Sequence, residues 1–97
     1  MERHVLPILG DGNSLFRTVS HCLFNNDEHH REIRIRVVEK IKNEWEYYES
    51  FIVGDLSYRL PINNSTEYEN LLSLDGEYAG HVELHCISQL FSQLFIY

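Results

Sequence analysis

The residues with the clearest chemical meaning lie at positions 11–17, which read Asp-Gly-Asn-Ser-Leu-Phe-Arg, a polar turn followed by an apolar segment. This pattern predicts that Ser14 lies where a helix begins, and the unpaired backbone N–H groups there favour negative charge. A thiolate at position 14, or an oxyanion forming beside it, would be stabilised by that geometry. A serine gains far less, because its hydroxyl has to be deprotonated by a separate base. The turn therefore suits a cysteine nucleophile, which this chain does not have at that position.

Histidines are the candidate bases and metal ligands. His81 and His85 are four residues apart, so they can share one face of a helix, and Glu83 lies between them. A metal site needs more ligands than this pair, and the sequence contains neither Cys-x-x-Cys nor His-Glu-x-x-His. We therefore expect no bound metal and no cofactor. His81 stays open as a stand-in base for Ser14.

The chain has two cysteines, Cys22 and Cys86, and each falls within an apolar stretch with helical spacing. We expect both to be buried free thiols, which are common in protein cores. Apolar neighbours would raise the pKa of Cys22, so we do not expect it to act as an alternative nucleophile.

The composition predicts one small globular domain, with 97 residues of which 43% are hydrophobic and 24% charged. A net charge of −7 argues against a nucleic-acid-binding surface, which needs a basic face. Basic residues in the middle of the chain alternate with glutamates, and we interpret them as a solvated helix face; they are Arg31, Arg34, Arg36, Lys40 and Lys42. No apolar run approaches the roughly 20 residues needed to cross a bilayer, and the N-terminus lacks the apolar core of a secretory signal. We therefore expect no membrane partner and a cytoplasmic or nuclear location.

The elements that must position these residues are predicted to be four helices. The apolar spacing indicates helices at residues 14–24, 30–51 and 81–93, with Leu84 in the buried stripe of the last one. A capping box from Thr66 to Glu69 opens a further short helix. Residues 95–97 favour a strand that stops at the last residue. We therefore expect a single domain, 1–97, that is truncated at its C-terminus and lacks most of its sheet.

Two motifs give the chain a resemblance to a known family. The segment 11–17 resembles the Asp-Gly-Asn-Cys-Leu-Phe-Arg signature of the ovarian-tumour (OTU) family of cysteine proteases. Residues 76–84 are similar to the family's Gly-x-Trp-Gly-Gly-x-x-Glu-Leu element, with Tyr78 and Ala79 in place of its Trp-Gly. The helix around residues 34–41 also fits the family's pattern. The resemblance implies an α+β, papain-related protease fold with a mostly helical N-terminal part, and it implies ubiquitin or polyubiquitin as partner.

The resemblance also implies roles for individual residues. Ser14 occupies the position of the nucleophilic cysteine, and Asp11 matches the position that helps to organise the oxyanion hole, together with backbone N–H groups at Gly12 and Asn13. Without the resemblance, Asp11 and Asn13 would be interpreted as residues that merely shape a turn. The resemblance also implies that three residues of the second motif bind the substrate: Tyr78, Gly80 and His81.

Two departures from the family pattern predict negligible hydrolysis. The nucleophile position holds an alcohol in place of a thiol, and the family's catalytic histidine lies after the last helix, beyond the end of this chain. Three functions therefore stay open. The first is a disabled OTU-type deubiquitinase domain. The second is a pseudoenzyme that binds ubiquitin or another protein, and the third is a small acidic helical interaction module. We also expect self-association through the edge formed by residues 95–97.

Overall fold

The computed structural model describes residues 12–91, and over this range the chain folds into five helices. They are α1 (Ser14–Phe24), α2 (His30–Asn43), α3 (Trp45–Ile52), α4 (Ser65–Leu72) and α5 (His81–Leu90). Within residues 12–91 there is no strand. The described part is therefore helical, and the sheet expected for an α+β fold is not among these residues. The predicted strand at residues 95–97 lies outside the described range.

The prediction of a single long helix over residues 30–51 is wrong, because the helix is interrupted at Glu44. This residue adopts φ −115° and ψ 40°, ending α2 and starting α3. Its N–H still donates to the Lys40 carbonyl (3.0 Å), and its own carbonyl accepts from Tyr48 N (3.2 Å). Backbone hydrogen bonding continues on both sides of Glu44, so the break affects one residue and changes the direction of the helix. The apolar residues keep their helical spacing across it, so the sequence pattern does not reveal the break. The new direction lets Tyr48 and Ile52 bury completely.

The capping box predicted at Thr66 is also wrong, because α4 begins earlier. Asn64 is the N-cap, and its side-chain oxygen accepts a hydrogen bond from Glu67 N (2.9 Å). Glu67 reaches back, and its carboxylate accepts from Asn63 N (2.8 Å). Asparagine is among the strongest N-cap residues and precedes threonine in that ranking, so the cap forms at Asn64.

Helices α1 and α5 each carry one of the two sequence motifs at the N-terminal end. Helix α1 begins at Ser14 and ends at Phe24, as predicted, and Asn25 follows in the left-handed conformation at φ 64°. Helix α5 begins at His81 as predicted and ends at Leu90, before the predicted end at residue 93. Residues 92–97 lie outside the described range.

Helix α2 lies at the centre of the fold and contacts each of the other four helices. The core takes side chains from all five helices, and its fully buried members include Phe16, Ile41, Tyr48, Leu72 and Ile87. None of the helices within residues 12–91 combines the length and the apolar character needed to span a bilayer.

Two residues predicted to be buried are exposed. Cys22 is exposed, because the buried face of α1 is centred on Phe16 and Val19 and position 22 lies at the edge of that face. Leu84 is 45% exposed, because α5 buries Val82, Cys86 and their neighbours on the opposite side of the helix. The prediction for Cys86 is confirmed, since this free thiol is buried.

Candidate functional site

Ser14 is the first residue of α1, so the predicted position at a helix start is confirmed. The residue is partly exposed, and Asn13 precedes it as the N-cap. The Asn13 carbonyl accepts the first helical hydrogen bond from Arg17 N (2.9 Å). The side chain at position 14 therefore lies at the positive end of the helix dipole, where an anion is favoured.

The Asn13 side chain connects this turn to the second motif. Asn13 is only 4% exposed, and its amide oxygen accepts hydrogen bonds from Arg34 Nη2 (2.9 Å) and from Gly76 N (3.0 Å). Its amide nitrogen donates to Asp75 Oδ1 (3.4 Å). These contacts reach a segment more than sixty residues further along the chain, at Asp75. Asn13 thus does more than shape its own turn.

Gly12 brings the two backbones into direct contact. Its carbonyl accepts from Arg34 Nη2 (3.2 Å). A Cβ atom added at Gly12 would overlap the carbonyl group of Gly76 and would also meet the backbone of Glu77. Glycine is required here because the two motifs pack backbone to backbone.

Arg34 was predicted to lie on a solvated helix face, and this prediction is wrong. Its side chain is 3% exposed and lies over the Phe16 ring, with 4.5 Å between the guanidinium carbon and the ring centroid. Its nitrogens donate to the carbonyls of Leu72 (2.8 Å) and Glu77 (2.8 Å), in addition to the two bonds to the first motif. The sequence carried a signal for this, because position 34 falls among the residues of α2 that form its buried stripe, Ile33, Val37, Val38 and Ile41.

The charge of Arg34 is retained in this buried position. Burial lowers the pKa of Arg34, while the nearby carboxylates of Asp75 and Glu77 act in the opposite direction. Arginine begins from so high a pKa that it stays protonated in proteins. The candidate site therefore has a permanent positive charge, the Arg34 guanidinium, buried against the Gly12–Asn13 turn.

The second motif presents one side chain to solvent and buries the next. Tyr78 is 46% exposed, whereas Ala79 is 6% exposed. Gly80 is the N-cap of α5, and a Cβ added there would lie 2.9 Å from the Tyr78 hydroxyl. The Tyr78 ring therefore lies against Gly80, next to the start of α5.

Glu83 is a structural residue of this motif that the sequence reasoning missed. Its carboxylate is fully buried and accepts hydrogen bonds from Gly80 N, Tyr58 Oη and Tyr68 Oη, each at 2.8 Å. Burial raises the pKa of Glu83, and these hydrogen bonds oppose the rise. A glutamate two positions after His81 is typical of a helix N-terminus. Only the fold, however, brings Tyr58 and Tyr68 to the carboxylate of Glu83.

His81 is the exposed first residue of α5. Asp55 has its pKa lowered mainly by hydrogen bonds from Ser57, with a smaller contribution from the charge of His81. His85 instead contacts α3, with 3.0 Å between its Nε2 and Tyr47 Oη. Among the described residues, no three potential metal ligands cluster. The role of His81 as a base for Ser14 stays a prediction.

Asp11 lies outside the described residues, so its predicted part in an oxyanion hole stays a prediction. The structure brings together Gly12 and Asn13 from the first motif with the Gly76 end of the second. Tyr78, Gly80 and His81 follow on the same connecting segment before α5. Contact with a substrate at these three residues is likewise a prediction.

Comparisons with known proteins agree with this arrangement. The family model described as "Vertnin, OTU domain" matches residues 6–94. "OVARIAN TUMOR DOMAIN-containing deubiquitinating enzyme 11" of Arabidopsis thaliana is 30% identical over 86 residues, which are 89% of this chain and 31% of that protein. "OTU domain-containing protein 1" of Homo sapiens is 30% identical over 87 residues, 90% of this chain and 16% of that protein.

A solved structure matches as well. The chain described as "Structure of OTUD1 OTU domain" aligns with a TM-score of 0.70 and 29% identity, over 88% of this chain and 51% of that one. The present chain thus spans less than a third of the two curated relatives and about half of the solved domain. The resemblance inferred from the two motifs is confirmed: because the family model covers nearly all of the sequence, this chain belongs to the OTU domain family described by the vertnin OTU domain.

Proposed function

We propose that the chain is an OTU-type deubiquitinase domain that receives the C-terminal tail of ubiquitin or polyubiquitin and is disabled for hydrolysis at Ser14. The observation that carries the proposal is a partly exposed Ser14 at the start of α1, held next to a buried network of Asn13, Arg34 and Gly76. The name of the Arabidopsis relative, a deubiquitinating enzyme, supports the substrate class.

The chemistry at position 14 explains why the serine is expected to be inactive. In a cysteine enzyme, the thiolate adds to the carbonyl carbon of the terminal glycine of ubiquitin, and N–H groups stabilise the oxyanion that forms. The C–N bond then breaks, and the amine leaves with the proton that the base took from the thiol. A thiol has a pKa of about 8.5 and ionises readily beside a cationic or dipolar group. An alcohol needs a strong, well-placed base to reach the same state. The substitution thus keeps the shape of the site and removes most of its reactivity.

The substrate side of the proposal uses the second motif. The exposed Tyr78 ring, Gly80 and His81 would line the path of the incoming tail. With a net charge of −7, the domain is compatible with a partner that presents a basic face. Charge alone selects no single partner, so the assignment of ubiquitin depends on the family.

The test is to restore a thiol in the full chain with Ser14→Cys and to add ubiquitin that carries a C-terminal alkyne electrophile. We expect a covalent adduct with Ser14→Cys and none with the unmodified chain, as seen by intact-protein mass spectrometry. The unmodified chain is the matched control, because it retains the exposed Cys22 and the buried Cys86.

Binding of ubiquitin to the unmodified chain, measured by calorimetry, separates the alternatives. Binding together with an unreactive Ser14→Cys variant would favour a pseudoenzyme that recognises ubiquitin without a latent catalytic site. Absence of both binding and labelling would overturn the proposal and favour an acidic interaction module.

A further inference from the structure

The first motif is held in place by a residue that belongs to neither motif. We propose that Arg34 is the positioning residue of the Ser14 site, setting the backbone orientation at Gly12 and Asn13 by fastening it to the segment 72–77. This inference rests on the proposed function, because it assigns Arg34 a task in the reactivity of position 14.

The hydrogen bonds of Arg34 reach both segments. Arg34 Nη2 donates to the Gly12 carbonyl, Asn13 Oδ1 and the Glu77 carbonyl at 3.2, 2.9 and 2.8 Å. Arg34 Nη1 donates to the Leu72 carbonyl at 2.8 Å. One planar group therefore joins the loop before α1 to the last residue of α4 and to Glu77 in the segment that follows it.

These hydrogen bonds also set the orientation of the peptide group between Gly12 and Asn13. In a planar trans peptide, the C=O and the following N–H point in opposite directions. Because the Gly12 carbonyl points at the guanidinium, the N–H of Asn13 points away from it. Arg34 thereby fixes the direction of a backbone N–H in the turn that the family uses to stabilise an oxyanion.

These contacts require arginine at position 34. The guanidinium is planar and offers donors on two terminal nitrogens, whereas the lysine ammonium is a compact point charge. The Phe16 ring packs against the guanidinium and fixes its plane, with 4.5 Å from the guanidinium carbon to the ring centroid. A lysine at position 34 would keep the charge but could not hold the same four acceptors.

The experiment measures the reactivity of a thiol at position 14, with no ubiquitin present. In full-length Ser14→Cys, the pH dependence of alkylation by iodoacetamide reports the pKa of the new thiol, and the exposed Cys22 on the same helix is the internal reference. We expect the position 14 thiol to titrate below Cys22. Adding Arg34→Lys or Arg34→Gln should raise its pKa and slow alkylation at neutral pH about tenfold, with Cys22 unchanged.

The matched control is Arg31→Gln, which removes a positive charge from an exposed position on the same helix. It should leave the pH profile at position 14 unchanged. Arg34→Lys with native circular dichroism and an unchanged pH profile would overturn the inference, because a purely structural role alters stability without moving that profile.

If both Arg34 variants fail to fold, Asn13→Ala in the Ser14→Cys background decides the question. It removes one acceptor of Arg34 and the link to Gly76 while keeping the buried guanidinium paired elsewhere. An upward shift of the position 14 pKa supports the inference, and an unchanged profile contradicts it. A position 14 thiol of lowered pKa that ignores the ubiquitin electrophile would instead overturn the proposed function and leave the role of Arg34 standing.

Discussion

The two terminal nitrogens of the buried Arg34 guanidinium donate hydrogen bonds to the loop before α1 and to Leu72 and Glu77, so that one side chain connects the two sequence motifs. Leaving such a charge unpaired in the interior costs several kcal/mol, of the order of 3–5 for a broken buried pair. The two motifs are therefore physically coupled, and a substitution in one motif is expected to alter the structure of the other. Gly12 shows this coupling at a single position, because its backbone packs directly against Gly76.

Gly12→Ala should strongly destabilise the fold, because its Cβ would overlap backbone atoms of Gly76 that cannot move aside. Overpacking of this kind costs about 1–3 kcal/mol in free energy of unfolding. Urea unfolding followed by circular dichroism measures the loss. Gly80→Ala is the matched control, since the three atoms nearest to its added Cβ belong to the end of the exposed Tyr78 ring, which can rotate. Equal losses for the two variants would contradict the backbone contact.

Glu83 should make stability depend on pH in a defined direction. Burial raises the pKa of its carboxyl above the ordinary value of 4.5. The folded state then binds a proton more tightly than the unfolded state, so this contribution to stability is complete below the unfolded pKa and is lost as pH rises through the folded pKa. We expect the unmodified chain to lose free energy of unfolding relative to Glu83→Gln as pH rises above 4.5.

Urea titrations of both proteins between about pH 4 and pH 8 measure that difference. A constant offset between them reports the loss of the hydrogen bonds from Tyr58 and Tyr68, and only its change with pH reports the titration. A difference that is flat with pH, or that has the opposite sign, would contradict the raised pKa.

At the scale of elements, capping and breaks decide where the helices lie. Glu44 ends α2 and starts α3 within one residue, and Asn64 starts α4 two residues before the predicted cap. Both boundaries are set locally, by the backbone conformation at Glu44 and by the stronger N-cap preference of Asn64 over Thr66. Burial of Tyr48 and Ile52 on α3 then stabilises the break at Glu44.

Asn64→Ala should lower the free energy of unfolding by about 1 kcal/mol, the usual cost of losing an N-cap side chain. Thr66→Ala should have an effect within about 0.5 kcal/mol, because Thr66 is exposed and does not cap the helix. Thermal unfolding of the two variants distinguishes the caps. A larger loss for Thr66→Ala would favour the capping box predicted from the sequence.

At the scale of the whole molecule, the two thiols report different levels of protection. Cys22 is exposed, whereas Cys86 is fully buried in the core, and burial raises the pKa of Cys86 to about 11. An aromatic disulfide reagent should react quickly with one thiol of the native chain and with the second only after denaturant is added. Cys22→Ser should remove the fast phase. Two fast phases in native buffer would contradict the buried position of Cys86.

Self-association is a second property of the whole molecule that stays a prediction. Residues 95–97 lie outside the described range, so the proposed edge rests on their strand-forming composition. Sedimentation equilibrium at several concentrations should show a species heavier than the 11.5 kDa chain. A monomer at all concentrations would contradict it.

The sequence by itself determined the features that depend on neighbouring residues. The start and end of α1, the position of Ser14 at its first turn and membership of the OTU family all follow from short motifs and helical spacing. Such signals are local, because a turn or a helix start is decided by a few consecutive side chains and their backbone hydrogen bonds.

Only the tertiary structure decided which polar residues are buried and which motifs meet. Arg34 has the same charge as its exposed neighbours on α2, and its burial depends on two distant loops that cover that face of the helix. Glu83 is fully buried because Tyr58 and Tyr68 reach it from other segments. Cys22, by contrast, is exposed, because position 22 lies at the edge of the face that α1 buries against the described core. The physical reason is that burial is set by packing between elements, which residue type and spacing along one chain do not specify.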